Sequence, residues 1–205
     1  MLVAERIKVK RLGSVPYLAA VQTTREFNAR RTAETPDELW LLEHEPVYTL
    51  GLGADASHGP LVDNGIPVVK VERGGEVTYH GPGQLVIYTL VDLARRGIKV
   101  KRFVWMLEQA ILGLVGARAE RKPGAPGIYV DGAKVASLGI RVSRGCAFHG
   151  LAVNVDMDLA PFRAIDPCGH PGLPVTQLRD LGLPMTVAEA GTRLAALLSE
   201  QIDHA

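Results

Sequence analysis

The stretch GIYVDGAKVASLGIRVSRGCAFHGLAVNV, residues 127–155, decides the fold. Two apolar runs, Gly127–Val130 and Lys134–Val142, flank Asp131-Gly132, the dipeptide that favours a tight hairpin turn. Phe148–Val155 is a third strand. Upstream, Gln84–Asp92 (QLVIYTLVD) is nearly all apolar and reads as a strand buried on both faces, and Ile66–Val71 as another. Glu38–Leu50 reads as a strand broken at Pro46 and ended by the turn-prone Gly51-Leu52-Gly53. Between these lie helical patterns. Tyr17, Ala20, Val21, Thr24 and Phe27 give one apolar face to a helix from about Pro16 to Arg31, and Phe103, Leu107, Ala110, Ile111 and Leu114 do so within Arg102–Val115. A last helix starts at a capping box, Thr186 with Glu189, after Pro184. Strands and helices mix without strict alternation. The expected fold is therefore α+β (mixed α/β), one domain over residues 1–205 around a largely antiparallel sheet flanked by helices.

The bulk numbers narrow the function. With 205 residues, 47% hydrophobic and 22% charged, the chain has the composition of an ordinary globular protein. Its formal net charge of +1 gives little long-range pull on nucleic acid or an anionic membrane, so neither is expected as a partner. No apolar run approaches the roughly 20 residues that span a bilayer, and the start MLVAERIKVKR lacks the apolar segment of a secretory signal. A cytoplasmic location follows as the expectation. There the two cysteines, Cys146 and Cys168, are expected as thiols rather than a disulfide.

Three segments concentrate glycine with reactive or polar groups. Arg73–Gln84 (RGGEVTYHGPGQ) sets Arg73, Tyr79 and His80 among glycines that let backbone approach a ligand, although a hairpin with no ligand has the same composition. Lys134–Val155 opens with a lysine just after a turn, either a solvated strand end or a cation placed beside a nucleophile. Ser137-Leu138-Gly139 and Gly150-Leu151-Ala152 add glycine within strands, a mark of close approach. Ile165–Leu178 (IDPCGHPGLPVTQL) holds Cys168 in a run of turn-formers, outside the periodic apolar setting of a core cysteine. Cys146 with His149 and Cys168 with His170 offer four possible metal ligands, but Cys168 and His170, with one residue between them, are too close for a structural zinc knuckle, and no metal is expected. A cysteine hydrolase pairing Cys168 with His149 or His80 stays open on these residues alone.

Taken together, the segments resemble the lipoate–protein ligase B family, the octanoyl-[acyl-carrier-protein]:protein octanoyltransferases of lipoate biosynthesis. RGGEVTYHGPGQ at 73–84 looks like the family signature. KVASLGIRV at 134–142, FHGLAVNV at 148–155 and IDPCG with Thr176-Gln177-Leu178 look like its later blocks. The resemblance implies an acyltransferase with the fold shared by ATP-dependent lipoate ligases and biotin–protein ligases. It implies that Cys168 carries the acyl group as a thioester and that Lys134 stands beside it and lowers its pKa. It further implies an acyl pocket lined by Arg73, Gly74, Gly75, Glu76, Val77, Thr78, Tyr79 and His80, by Ser137, Leu138 and Gly139, and by Gly150, Leu151 and Ala152. Glu76 has no role of its own in this reading. The donor would be octanoyl-acyl carrier protein. The acceptors would be lipoyl domains of 2-oxoacid dehydrogenase complexes and the glycine cleavage H protein, with a monomer doing the work. No cofactor is implied, and the chain has no GxxxxGK[ST] phosphate loop. An ATP-dependent ligase of the same fold and a non-enzymatic acyl-binding module are the alternatives.

Overall fold

The computed structural model describes residues 6–54, 59–61, 63–165 and 172–205. Ten strands and four helices follow in the order β1 (Lys8–Ser14), α1 (Tyr17–Ala29), β2 (Glu38–Glu43), β3 (Val47–Leu50), β4 (Val68–Lys70), β5 (Val77–His80), β6 (Gln84–Leu90), α2 (Leu93–Arg96), α3 (Val100–Val115), β7 (Ala119–Lys122), β8 (Ala125–Val130), β9 (Ala133–Ser143), β10 (Cys146–Asn154) and α4 (Val187–Asp203). Seven strands form one sheet in the order β1-β2-β6-β10-β9-β8-β7, antiparallel except for the β1–β2 pair. A smaller sheet has the order β4-β3-β5. This is the α+β class that the residue pattern predicts.

Local chemistry explains the frame. Asp131 (φ 50°) and Gly132 (φ 84°) form a two-residue β8–β9 connection with both residues left-handed, which matches the twist of the strands they join. Arg144 (φ 49°) and Gly145 (φ 78°) do the same between β9 and β10. The long strand expected at 38–50 divides in two. Pro46 lies in the break, so β2 stays in the large sheet while β3 starts the small one. β1 has no apolar periodicity to announce it, being KVKRLGS with every residue exposed at the sheet edge.

The main core lies between the large sheet and helices α3 and α4. Phe103, Met106, Leu107 and Ile111 of α3 and Leu194 and Leu198 of α4 pack there on Leu85, Ile87, Leu151 and Val153. Thr186 caps α4 through the reciprocal box with Glu189. On the opposite face α1 covers Trp40, Val86, Tyr88 and Phe148 through Ala20. One buried charge ties these layers together. The Asp37 carboxylate is fully buried and accepts from Arg31, Arg95 and Arg96, and from the backbone N–H of Asp92 at 2.8 Å. Arg31 and Arg96 are themselves nearly buried. Removing one partner of a buried ion network leaves desolvated charge behind. Asp37→Asn is expected to cost about 3–5 kcal/mol in urea unfolding; a loss below about 1 kcal/mol, the level of a surface pair, would contradict this placement.

Candidate active site

A cavity opens where β5 and the loop before it meet β6, β9 and β10. Strand alternation selects what faces it. On β5 the side chains of Thr78 and His80 reach the cavity, whereas Tyr79 points to the other face and packs against Tyr48 and Phe162, each with ring centroids 5.5 Å away. Arg73, Gly75, Glu76 and Val77 complete that side, and Ser137–Gly139 of β9 and Gly150–Ala152 of β10 form the wall opposite. Gly74 belongs to an adjoining groove with Val104, Ala125 and Ile140. Its N–H donates to the Ile140 carbonyl at 3.0 Å, so the loop lies directly across β9. That crossing needs Gly139, where a Cβ would stand 2.9 Å from the Gly74 oxygen. The Arg73 guanidinium reaches back to β3, donating to the Thr49 carbonyl at 2.8 Å and the Glu76 carbonyl at 2.9 Å, and so folds its own loop.

Four further residues line the cavity: Tyr17, Val86, Tyr88 and His149. Val86 and Tyr88 sit two apart on β6 and pair with Ala152 and Gly150. Period-2 reading of QLVIYTL could have placed them on one face, but a strand that is nearly all apolar does not say which face holds a cavity. Tyr17 comes from the first turn of α1, and no local sequence pattern links it to the other cavity residues, the first of which, Arg73, is 56 positions away (73 − 17). It stacks on His80 at 5.8 Å and meets His44 edge-on at 4.9 Å, and His44 bonds the Tyr88 hydroxyl at 2.8 Å.

Lys134 lies at one end of this wall, three residues before Ser137, and is 2% exposed. Its Nζ donates to the Pro126 carbonyl at 3.0 Å and stands 5.4 Å from the Tyr129 ring centre. The side chain crosses Gly127, where a Cβ would come within 2.6 Å of Lys134 Cε. Its backbone is bound to the segment that follows Cys168: the Lys134 N–H donates to the Pro174 carbonyl at 2.8 Å, and its carbonyl accepts from Thr176 N–H at 3.0 Å. A polar chain runs from there to His80. Asn154 Nδ2 donates to the Thr176 carbonyl at 2.9 Å, Gln84 Nε2 to Asn154 Oδ1 at 2.9 Å, and Gln84 Oε1 meets His80 Nδ1 at 2.6 Å. Cys168 itself lies outside the described residues. In the sequence it is six positions before Pro174, at most about 20 Å of extended chain from the join at Lys134.

The other thiol is a poor nucleophile. Cys146 is free and buried at the far end of β10, and burial, aided by Asp92, pushes its pKa up. Among the described residues no group of three His, Cys, Asp or Glu side chains is placed to hold a metal ion.

The sequence matches the lipoyl protein ligase A/B catalytic domain over residues 16–199. The chain belongs to that family. Within it, 199 residues are 54% identical to the octanoyltransferase of Dechloromonas aromatica, covering 96% of this chain and 97% of that protein. The octanoyltransferase of Azoarcus sp. is also 54% identical, over 189 residues, 91% of this chain and 83% of that protein. A solved bi-partite lipoate protein ligase from Thermoplasma acidophilum superimposes with a TM-score of 0.77 at 15% identity, covering 96% of this chain and 83% of that one. At that identity the likeness is one of fold. The family read from the four motif blocks is thus the family found, and its fold is the α+β arrangement described above.

The imidazoles in and beside the cavity are held uncharged: His80 and His149 line it, and His44 packs against His80. Desolvation is the main cause in all three. It lowers the pKa of His80 and His149 to about 3 and of His44 to about 4, the His80 value being reduced further by His44. In the unfolded chain the same rings take up protons as pH falls through about 6.5. Stability is therefore complete above pH 6.5 and is lost as pH falls toward 4. Each ring held neutral contributes a loss of about 2 kcal/mol by pH 5. Urea unfolding should show a clear drop between pH 7.5 and pH 5; equal stability at both would contradict buried neutral histidines.

Proposed function

We propose that this chain, as one catalytic domain over residues 1–205 and as a monomer in the cytoplasm, transfers an octanoyl group in two steps. In the first, octanoyl-acyl carrier protein gives its acyl group to Cys168. In the second, the acyl group passes to a lysine of a lipoyl domain, on a 2-oxoacid dehydrogenase complex or on the glycine cleavage H protein. The name octanoyltransferase shared by relatives about half identical to the chain supports the reaction. The observation that carries the reading is the join at Lys134: one residue lies three positions before the cavity wall at Ser137, presents a buried ammonium group and pairs with the segment that follows Cys168.

In the first step the Cys168 thiolate attacks the donor thioester carbonyl, a new C–S bond forms, the donor's C–S bond breaks, and the carrier sulfur takes a proton from the Lys134 ammonium and leaves as the thiol, so that Lys134 is left as the neutral amine. A free cysteine has a pKa of about 8.5, so only a small fraction is thiolate at neutral pH, and a nearby ammonium stabilises that form. In the second step the neutral amine of the acceptor lysine attacks the thioester. An amide bond forms, the C–S bond breaks and Cys168 leaves as thiolate. The proton lost by the amine is taken up by Lys134 Nζ, which holds it as the counter-charge to the returning thiolate. Thioester exchange is nearly balanced in free energy and thioester-to-amide transfer runs downhill, so no nucleotide is consumed.

The walls suit the cargo. Val86 and Ala152, with the glycine backbone of Gly139 and Gly150, offer carbon to an alkyl chain, and each methylene taken from water is worth about 0.8 kcal/mol. Intact-protein mass after mixing with octanoyl-acyl carrier protein is expected to show one hydroxylamine-labile octanoyl adduct, absent from Cys168→Ser and discharged by a lipoyl domain. Acceptor octanoylation by the Cys168→Ser chain at the native rate would refute the thioester route. Lys134→Arg keeps a cation that stays protonated, so it should slow transfer to the acceptor by about 100-fold or more; native transfer by that variant would remove Lys134 from proton transfer.

A further inference from the structure

His149 carries two costs that neither the polar chain nor the transfer steps use. Its φ is 60°, in the left-handed region, inside β10, where a residue with a Cβ is strained. Its Nε2 is buried and has no hydrogen-bond partner among the described residues. The geometry shows what the left-handed backbone achieves. Ala147, Leu151 and Val153 turn toward the α3–α4 core, and simple alternation would send His149 the same way. Instead its ring stacks on that of the preceding residue, Phe148, at 5.0 Å, and meets Tyr88 edge-on at 6.1 Å. Phe148 and Tyr88 both belong to the opposite, α1-facing cluster. The ring thus stands in the cavity wall, held by packing rather than by hydrogen bonds.

Its place along the ladder gives the ring a function. Ala152 pairs with Ser137, Gly150 with Gly139, and His149 with Ile140. Moving along β9 from Lys134, the cavity begins near Ser137 and reaches His149 at its far end. Ser137 to Ile140 is three strand steps, about 10 Å. An extended eight-carbon chain, with C–C bonds of about 1.5 Å in a zigzag, spans roughly 9 Å.

We propose that the His149 ring is the end wall of the acyl slot and sets the longest chain that the enzyme accepts. The proposal rests on the acyl-transfer reading above and adds the residue that determines its specificity. A slot stopped at its far end by a ring rejects longer chains by steric overlap, while a shorter chain loses about fourfold in binding per methylene left out.

The test compares native chain, His149→Gly and His149→Asn, using carrier protein loaded with straight chains of six to fourteen carbons and a lipoyl domain as acceptor, with initial rates read by intact mass. Glycine suits a φ of 60° and asparagine tolerates it, so both variants keep the strand, and thermal melts verify this. The expected result is an optimum at eight carbons for the native chain. In both variants the twelve-to-eight-carbon rate ratio should rise by at least about tenfold, more in His149→Gly. An unchanged ratio in either folded variant, whether all rates hold or fall together, overturns the end-wall role and leaves acyl transfer standing. A native chain that transfers no acyl group of any length would overturn the transfer reading instead, and this proposal with it.

Discussion

The pairing of Lys134 with residues 174–176 holds three parts of the site in one place, and the rest of the arrangement depends on it. Two backbone hydrogen bonds, of 2.8 and 3.0 Å, fix the start of β9 to the chain that follows Cys168. The stitching continues along β10, where Leu178 N–H donates to the Asn154 carbonyl at 3.0 Å and Arg179 N–H to the Val155 carbonyl at 3.1 Å. Lys134 sits inside this seam with its side chain laid over Gly127. A lysine at a strand start is ordinarily free to swing in water. Here burial, a carbonyl acceptor and an aromatic ring restrict it to one region.

From that seam the cavity changes character along its length. Near Lys134 the amides of Asn154 and Gln84 link the seam to His80, so polar groups that are buried are also satisfied. Further along, glycine and aliphatic carbon predominate, and at the far end stands His149, whose Nε2 has no partner among the described residues. The imidazoles of His80 and His149 are held neutral and so add no charge beside an alkyl chain.

Much of this was legible before any coordinates, for identifiable reasons. The Asp131-Gly132 turn and the Thr186–Glu189 box are encoded by residues a few positions apart, so each could be read directly. The β9–β10 turn at Arg144-Gly145 was harder, because an arginine at φ 49° is not a residue that announces a left-handed turn. β1 escaped notice because an exposed edge strand has no apolar face to repeat. In the site, the motif blocks named most of the cavity wall, but a contiguous motif cannot express alternation, and so it included Tyr79, which faces away. Tyr17, Val86 and Tyr88 were missed because they reach the cavity only through tertiary packing. Cys168 was singled out by its turn-rich setting and the family resemblance. It lies outside the described residues, and its place beside Lys134 is what the proposed function asserts.

That placement is the centre of the account, and alkylation kinetics test it most directly. The rate at which iodoacetamide modifies Cys168 is followed by peptide mass from pH 5 to 10, in the native chain and in Lys134→Ala. The account predicts a native thiolate midpoint below the free-cysteine value of about 8.5, rising toward that value when Lys134 is removed. A midpoint that is the same in both chains would mean that Lys134 does not act on Cys168, and the join at 174–176 would then be scaffolding alone.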